Sequence, residues 1–256
     1  MLKAIFGSVV VLSSLVANDP TIAEAFNRHR IEGTMVIESL KGDERYVFND
    51  IRAKTPLLPA STFKIPNTLI ALDQGVVDEN SIIVWDKVER MLPSWNQDQT
   101  LESAFKNSCV WCYQRFARGI GLEKYQSYLK KLHYGNEKVG RDIERFWLDG
   151  ELRISAYEQI AFLKKLYLNQ LPFSLEHLTL LKKIMIDEEK STYAIYAKTG
   201  WAVPKDLEHH GWYVGYVESS SGVYFFATNV LTPSNQQLYL RKLVTLAVLK
   251  SKGILE

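Results

Sequence analysis

The sequence predicts an α+β fold whose antiparallel sheet is assembled from both ends of the chain, and three observations carry that prediction. Segments alternating apolar and polar residues lie near the N-terminus and again beyond Tyr193. Between them the apolar residues recur at helical spacing instead. Short turn-forming stretches separate the extended segments at hairpin distances. Strands at both ends with helices between them predict a sheet flanked by helices, with a helical lobe inserted in the middle at about residues 66–190.

In chain order, Gly33 to Ile37 and Arg45 to Asn49 alternate around Lys41-Gly42-Asp43 and predict a β-hairpin. Helices are expected over Thr62 to Gln74, Leu101 to Arg118, Leu122 to Leu132 and Ala156 to Leu168. The last opens on Ser155-Ala156-Tyr157-Glu158, a capping box that satisfies two otherwise unpaired amides. Tyr193 to Trp201, Gly211 to Glu218 and Val223 to Asn229 read as strands, the last two joined by a tight turn at Ser219 to Gly222. Leu238 to Leu249 closes the chain as an amphipathic helix.

Length and charge narrow the function. A chain of 256 residues with 46% hydrophobic content buries a substantial core, and residues 18–256 are expected to form a single domain around it. A net charge of +2 without a basic stripe argues against nucleic acid as a partner. Lys130-Lys131 and Lys182-Lys183 read as solvated helix faces. No apolar run reaches the roughly 20 residues of a membrane span. Lys3 followed by apolar Ala4 to Val16 predicts an export signal, residues 1–17, cleaved after Ala17 even though Leu15 is a poor fit to the small-residue rule. Asp19-Pro20 would end a helix formed by this segment. The expected location is therefore periplasmic or secreted, with no stable membrane insertion after cleavage.

Three signatures carry the chemistry, in the order Ser61-Thr62-Phe63-Lys64, Ser108-Cys109-Val110 and Lys198-Thr199-Gly200. Ser-x-x-Lys at a helix start places a hydroxyl and an amine one turn apart on one face, close enough for the amine to take the hydroxyl proton. A second serine from another segment can pass that proton on. A Lys-Thr-Gly strand binds an anionic group and brings backbone N–H donors near a carbonyl oxygen. Together they read as acyl transfer through a serine nucleophile. Ser-x-x-Lys also occurs at Ser103/Lys106 and Ser127/Lys130, but there it decorates helical stretches and is expected on a solvated face. Only Ser61 follows Pro-Ala and precedes the long apolar run from Ile65 to Val77. With these motifs the three segments are expected to meet at a cleft, Lys198 on an edge strand.

Two further groupings read as structural. Cys109 and Cys112 lie in a buried helical setting and are expected as small hydrophobes, reduced or oxidised after export; two thiols do not complete a zinc site. His209-His210 beside Glu208 reads as a loop tip, because adjacent residues seldom converge on one ion.

The chain resembles the class D serine β-lactamases, or oxacillinases. The resemblance rests on Pro59-Ala60-Ser61-Thr62-Phe63-Lys64, Ser108-Cys109-Val110, Tyr134-Gly135-Asn136, Trp147-Leu148-Asp149-Gly150 and Lys198-Thr199-Gly200-Trp201. Gly211 to Glu218 and Leu240-Arg241-Lys242 extend it to the C-terminus. It implies the fold of serine β-lactamases and penicillin-binding transpeptidases, and hydrolysis of β-lactam antibiotics through an acyl-enzyme. Ser61 would be the nucleophile, and Lys64, carbamylated by carbon dioxide (N6-carboxylysine), the general base. Trp147 would donate to that carbamate and Val110 would keep its pocket apolar. Ser108 and Lys198 would pass a proton to the leaving nitrogen. Thr199 and Arg241 would hold the drug's carboxylate, beside Gly200. The backbone N–H groups of Ser61 and Trp201 would form the oxyanion hole. No metal or organic cofactor is implied, and the partner is a small-molecule β-lactam, bound by a monomer or homodimer. Related functions on the same fold are a β-lactam-sensing domain that acylates without turnover and a cell-wall D,D-peptidase.

Overall fold

The computed structural model describes residues 17–205 and 208–256; the export signal, residues 1–17, lies outside them but for Ala17. Helix α1 (Pro20–Arg28) starts where an ending was expected. The Asp19 carboxylate accepts from Ile22 N at 3.1 Å, and Pro20 occupies the first helical position, where its missing N–H is harmless. Asp-Pro here is a start signal.

Strands β1 (Gly33–Ser39) and β2 (Arg45–Phe48) form the expected hairpin. Helix α2 (Asp50–Lys54) follows, and a 3-10 turn, Ala60–Phe63, leads into α3 (Lys64–Asp73). Residues Lys64 to Leu72 are all buried, so α3 is a central helix enclosed on every side.

The single helix expected over Leu101 to Arg118 is two, α4 (Leu101–Lys106) and α5 (Val110–Ile120). Ser108 has φ 53°, in the left-handed region, and Cys109 N reaches back to Ala104 O at 2.9 Å. That is a helix C-terminal turn followed at once by a new start, with Cys109 Sγ accepting from Cys112 N. Apolar residues continue at helical spacing across the break, which hides it from periodicity. Cys109 and Cys112 are joined in a disulfide. Helices α6 (Leu122–Leu132) and α7 (Ala156–Tyr167) follow as expected, α7 with its Ser155/Glu158 capping box formed in both directions. Helix α8 (Leu175–Met185) and the short strand β3 (Ile186–Glu189) were not foreseen. Strands β4 (Tyr193–Ala202), β5 (His210–Ser219) and β6 (Gly222–Leu231) and helix α9 (Leu240–Ser251) complete the chain.

The antiparallel sheet has the order β2-β1-β6-β5-β4-β3, so strands from both ends of the chain meet at the β1–β6 pair. Period-two alternation divides its side chains between two cores. Met35, Ile37, Tyr213, Val217 and Phe226 pack with Phe26 of α1 and Val244 and Val248 of α9 on one face. Val36, Trp212, Val214, Phe225 and Ala227 face the larger core on the other, built with α3, α5, α6 and α7. Strand β3 pairs only with Ala194 to Tyr196. From Ala197 onward β4 has no outer strand partner among the described residues, so the part that carries Lys198 is an open edge after all.

Candidate active site

The turn bearing Ser61 is pinned from several sides. Ala60 N donates to Trp147 O at 2.9 Å, and Ala60 itself has φ 48°, a strained conformation for a residue with a Cβ. Leu57 and Ile154 form an isolated bridge just upstream. Tyr134-Gly135-Asn136 forms a tight corner beside the site. Gly135 has φ +55° and a Cβ there would lie 2.0 Å from Arg153 O, so only glycine lets the corner dock. Tyr134 packs edge-on to Phe63, their ring centroids 5.6 Å apart.

Ser61 is half-buried and reachable, whereas Lys64 behind it is wholly buried. Lys64 Nζ lies 3.2 Å from Ser61 Oγ. Burial holds the Lys64 amine well below its ordinary pKa, and the charge of Lys198 pushes in the same direction. A buried amine with a lowered pKa, in hydrogen-bond contact with a reachable hydroxyl, is the arrangement that a base and a nucleophile require. Lys64 Nζ also lies 4.7 Å from the centroid of the Tyr113 ring, whose hydroxyl pairs with Thr68 Oγ1 at 2.6 Å. Sequence reasoning did not single out Tyr113. Its position three residues after Val110, on the same face of α5, is the signal that was there to use.

Lys198 Nζ lies 2.5 Å from Ser108 Oγ, so the second and third motifs meet as expected. Desolvation and the nearby Arg241 bring Lys198 down to about 7, with Asp187 pulling the other way. A group at that value can both take and give a proton near neutral pH. Arg241 Nη1 donates to Gly200 O at 2.8 Å, and burial lowers the guanidinium to about 10. Neither Lys198 nor Arg241 has a carboxylate within ion-pair distance among the described residues. A guanidinium and a protonatable lysine at one cleft without a direct counter-ion favour an anionic ligand.

Gly200 explains how β4 reaches the nucleophile. A Cβ on it would come within 2.9 Å of Pro59 O and 3.1 Å of Thr62 Cγ2. Glycine therefore permits the strand and the Ser61 turn to touch, with Trp201 following directly. Gly200→Ala is expected to push the two apart and slow acylation of Ser61 by about 10²-fold, as misplacement on the ångström scale does. Stopped-flow acylation measurements check this, and a rate within two-fold of the parent contradicts it. Thr199, half-buried, follows Lys198, its Oγ1 3.4 Å from the Lys198 amine.

Trp147 is fully buried, stacked on Phe63 with centroids 5.7 Å apart, and its Nε1–H has no hydrogen-bond partner among the described residues. Val110 opens α5 and is half-buried. Two expectations need correction. His210 is no loop tip: it is a buried residue of β5 with both ring nitrogens near carbonyl oxygens. Ser103 is not simply solvated but caps α4 with Thr100, and Lys106 donates to the Ile186 carbonyl of β3. Ser127 and Lys130 are exposed as expected.

Residues 25–250 match the penicillin binding protein transpeptidase domain. β-Lactamase OXA-20 of Pseudomonas aeruginosa is 43% identical over 263 residues, spanning 99% of this chain and 97% of its own. The chain belongs to the class D β-lactamase family. Among solved structures, the class D β-lactamase YbXI from Nostoc superposes with a TM-score of 0.89 at 42% identity, covering 91% of this chain and 99% of that one. The class D β-lactamase FUS-1 (OXA-85) of Fusobacterium nucleatum subsp. polymorphum gives 0.91 at 37% identity, covering 94% and 100%. In this cleft the side chain beside the Ser61 hydroxyl is a buried lysine.

Proposed function

We propose that this class D β-lactamase hydrolyses β-lactam antibiotics through an acyl-enzyme on Ser61. The observation that carries the reading is the 3.2 Å contact between Ser61 and a fully buried Lys64, whose amine burial holds well below its ordinary pKa. Lys64 takes the Ser61 proton as Oγ attacks the lactam carbonyl carbon, and the backbone N–H groups of Ser61 and Trp201 receive the developing oxyanion. As the C–N bond breaks, the Ser108–Lys198 pair delivers a proton to the departing nitrogen. Lys64 then activates water to release the acid. Arg241 and Thr199 hold the substrate carboxylate, and Val110 keeps the Lys64 pocket apolar.

The residues also fit a carbon dioxide adduct on Lys64. Amines add carbon dioxide only when neutral, and the orphaned Nε1–H of Trp147 is a buried donor that a carbamate would satisfy. Carried as a carbamate, Lys64 supplies an anionic base for both half-reactions. The Cys109–Cys112 disulfide and the apolar leader support export to an oxidising compartment. Among the described residues no helix is long and apolar enough to cross a membrane.

Mixing purified protein with excess chromogenic cephalosporin tests the activity. Many turnovers per molecule are expected; a single stoichiometric burst assigns a sensor instead. Arg241→Ala is expected to raise KM for penicillins about ten- to a hundred-fold, the worth of a charge-assisted contact of roughly 1.5–3 kcal/mol, with a smaller fall in kcat. Steady-state kinetics decide it, and an unchanged KM removes Arg241 from the carboxylate site.

A further inference from the structure

His210 and Trp212 are two residues apart on β5, so both side chains leave the same face of the strand. They converge on one atom. Trp212 Nε1 donates to Leu58 O at 2.9 Å, and His210 Nε2 lies 3.0 Å from the same oxygen. Leu58 lies three residues before Ser61 and packs with Ala60 and Ala202, the last being the register partner of His210. The carbonyl on which both rings converge thus belongs to the segment that delivers the nucleophile.

His210 Nδ1 faces a second carbonyl, Glu208 O, at 3.2 Å. A neutral imidazole has one N–H and can donate to only one of the two. Leu58 O is the partner inside the protein.

We infer that His210 is a positioning residue for Ser61: its Nε2–H, with the indole of Trp212, holds the Leu58 carbonyl and so sets the angle at which the Pro59–Phe63 segment presents the hydroxyl to substrate. The inference rests on the acyl-enzyme reading above. An indole alone fixes the distance to the carbonyl, while two donors from different directions also fix its rotation. Rotation of the Leu58 peptide propagates to Ala60, whose left-handed backbone has little freedom to absorb it.

The test compares His210→Gln with His210→Met. These side chains have similar length, and only glutamine carries a donor. Acylation by a chromogenic cephalosporin is followed in rapid mixing and the Ser61 adduct by mass spectrometry. His210→Met is expected to acylate about five- to ten-fold more slowly, with the loss in kcat and little change in KM. His210→Gln is expected to recover at least half of the parent rate. Equal rates for the two variants overturn the inference, as does a fall in thermal midpoint in His210→Met with unchanged kinetics. A parent protein that forms no Ser61 adduct overturns the acyl-enzyme reading instead, so the two failures are distinct. Should the methionine variant not fold, the imidazole ¹⁵N spectrum of the parent decides. The Nε2–H tautomer is expected, and the Nδ1–H tautomer overturns the assignment.

Discussion

Ser61→Ala is expected to abolish covalent labelling by penicillin and to lower hydrolysis by on the order of 10⁴- to 10⁶-fold, the range seen when a nucleophile acting as part of a unit is removed. Ser61 is the half-buried hydroxyl that the Lys64 amine can reach, at 3.2 Å. The substitution deletes one oxygen at a reachable position and leaves the buried Lys64 and the turn behind it in place, so folding is expected to be preserved. Intact-mass spectrometry after penicillin treatment checks the labelling. A penicilloyl adduct persisting on the alanine variant contradicts the assignment. Ser127→Ala, on an exposed face of α6, is expected to leave turnover within two-fold of the parent.

The second large effect concerns Lys64 and carbon dioxide. Carbamate formation consumes a neutral amine and releases a proton, so falling pH opposes it twice: the amine is protonated and the equilibrium is driven back. Because burial lowers the amine's pKa, the neutral form is favoured over that of an ordinary lysine and is depleted on acidification. Activity is therefore expected to fall as the solution becomes mildly acidic, and added bicarbonate is expected to restore it. Trp147→Phe keeps the ring on Phe63 but removes the Nε1–H. Loss of one hydrogen bond to a buried charge, roughly 1.5–3 kcal/mol, is expected to raise the bicarbonate needed for half-restoration about ten- to a hundred-fold. A ¹³C resonance from labelled bicarbonate on the parent, weakened in Trp147→Phe, reads the same equilibrium without reference to activity. If bicarbonate changes neither the rate nor the spectrum of either protein, unmodified Lys64 is the base.

The chemistry was more legible in the sequence than the backbone that presents it. Ser61, Lys64, Ser108 and Lys198 lie in short motifs whose residue types state what they do, and the structure joins them in two direct contacts. The β1–β2 hairpin, the capping box of α7 and strands β4 to β6 followed from alternation and turn chemistry. The left-handed Ser108 did not, because the apolar period runs unbroken from α4 into α5. Strand β3 is short and carries Asp187, Glu188 and Glu189, so it lacks any apolar alternation. Trp147 and Arg241, read singly, look like a core residue and a surface residue; only the order of the surrounding motifs lifts them out. His210 was misread because a histidine pair beside a glutamate resembles a polar loop. Nothing local to it shows that Leu58, far away in sequence, has a carbonyl within its reach.

One measurement bears most directly on the whole account. Parent protein is quenched in acid during turnover of a penicillin, digested, and the acyl adduct mapped by tandem mass spectrometry. The account predicts a single penicilloyl group on the peptide containing Ser61, at Ser61. An adduct on Ser103, Ser108 or Ser127, or rapid hydrolysis with no adduct on any serine, would contradict it.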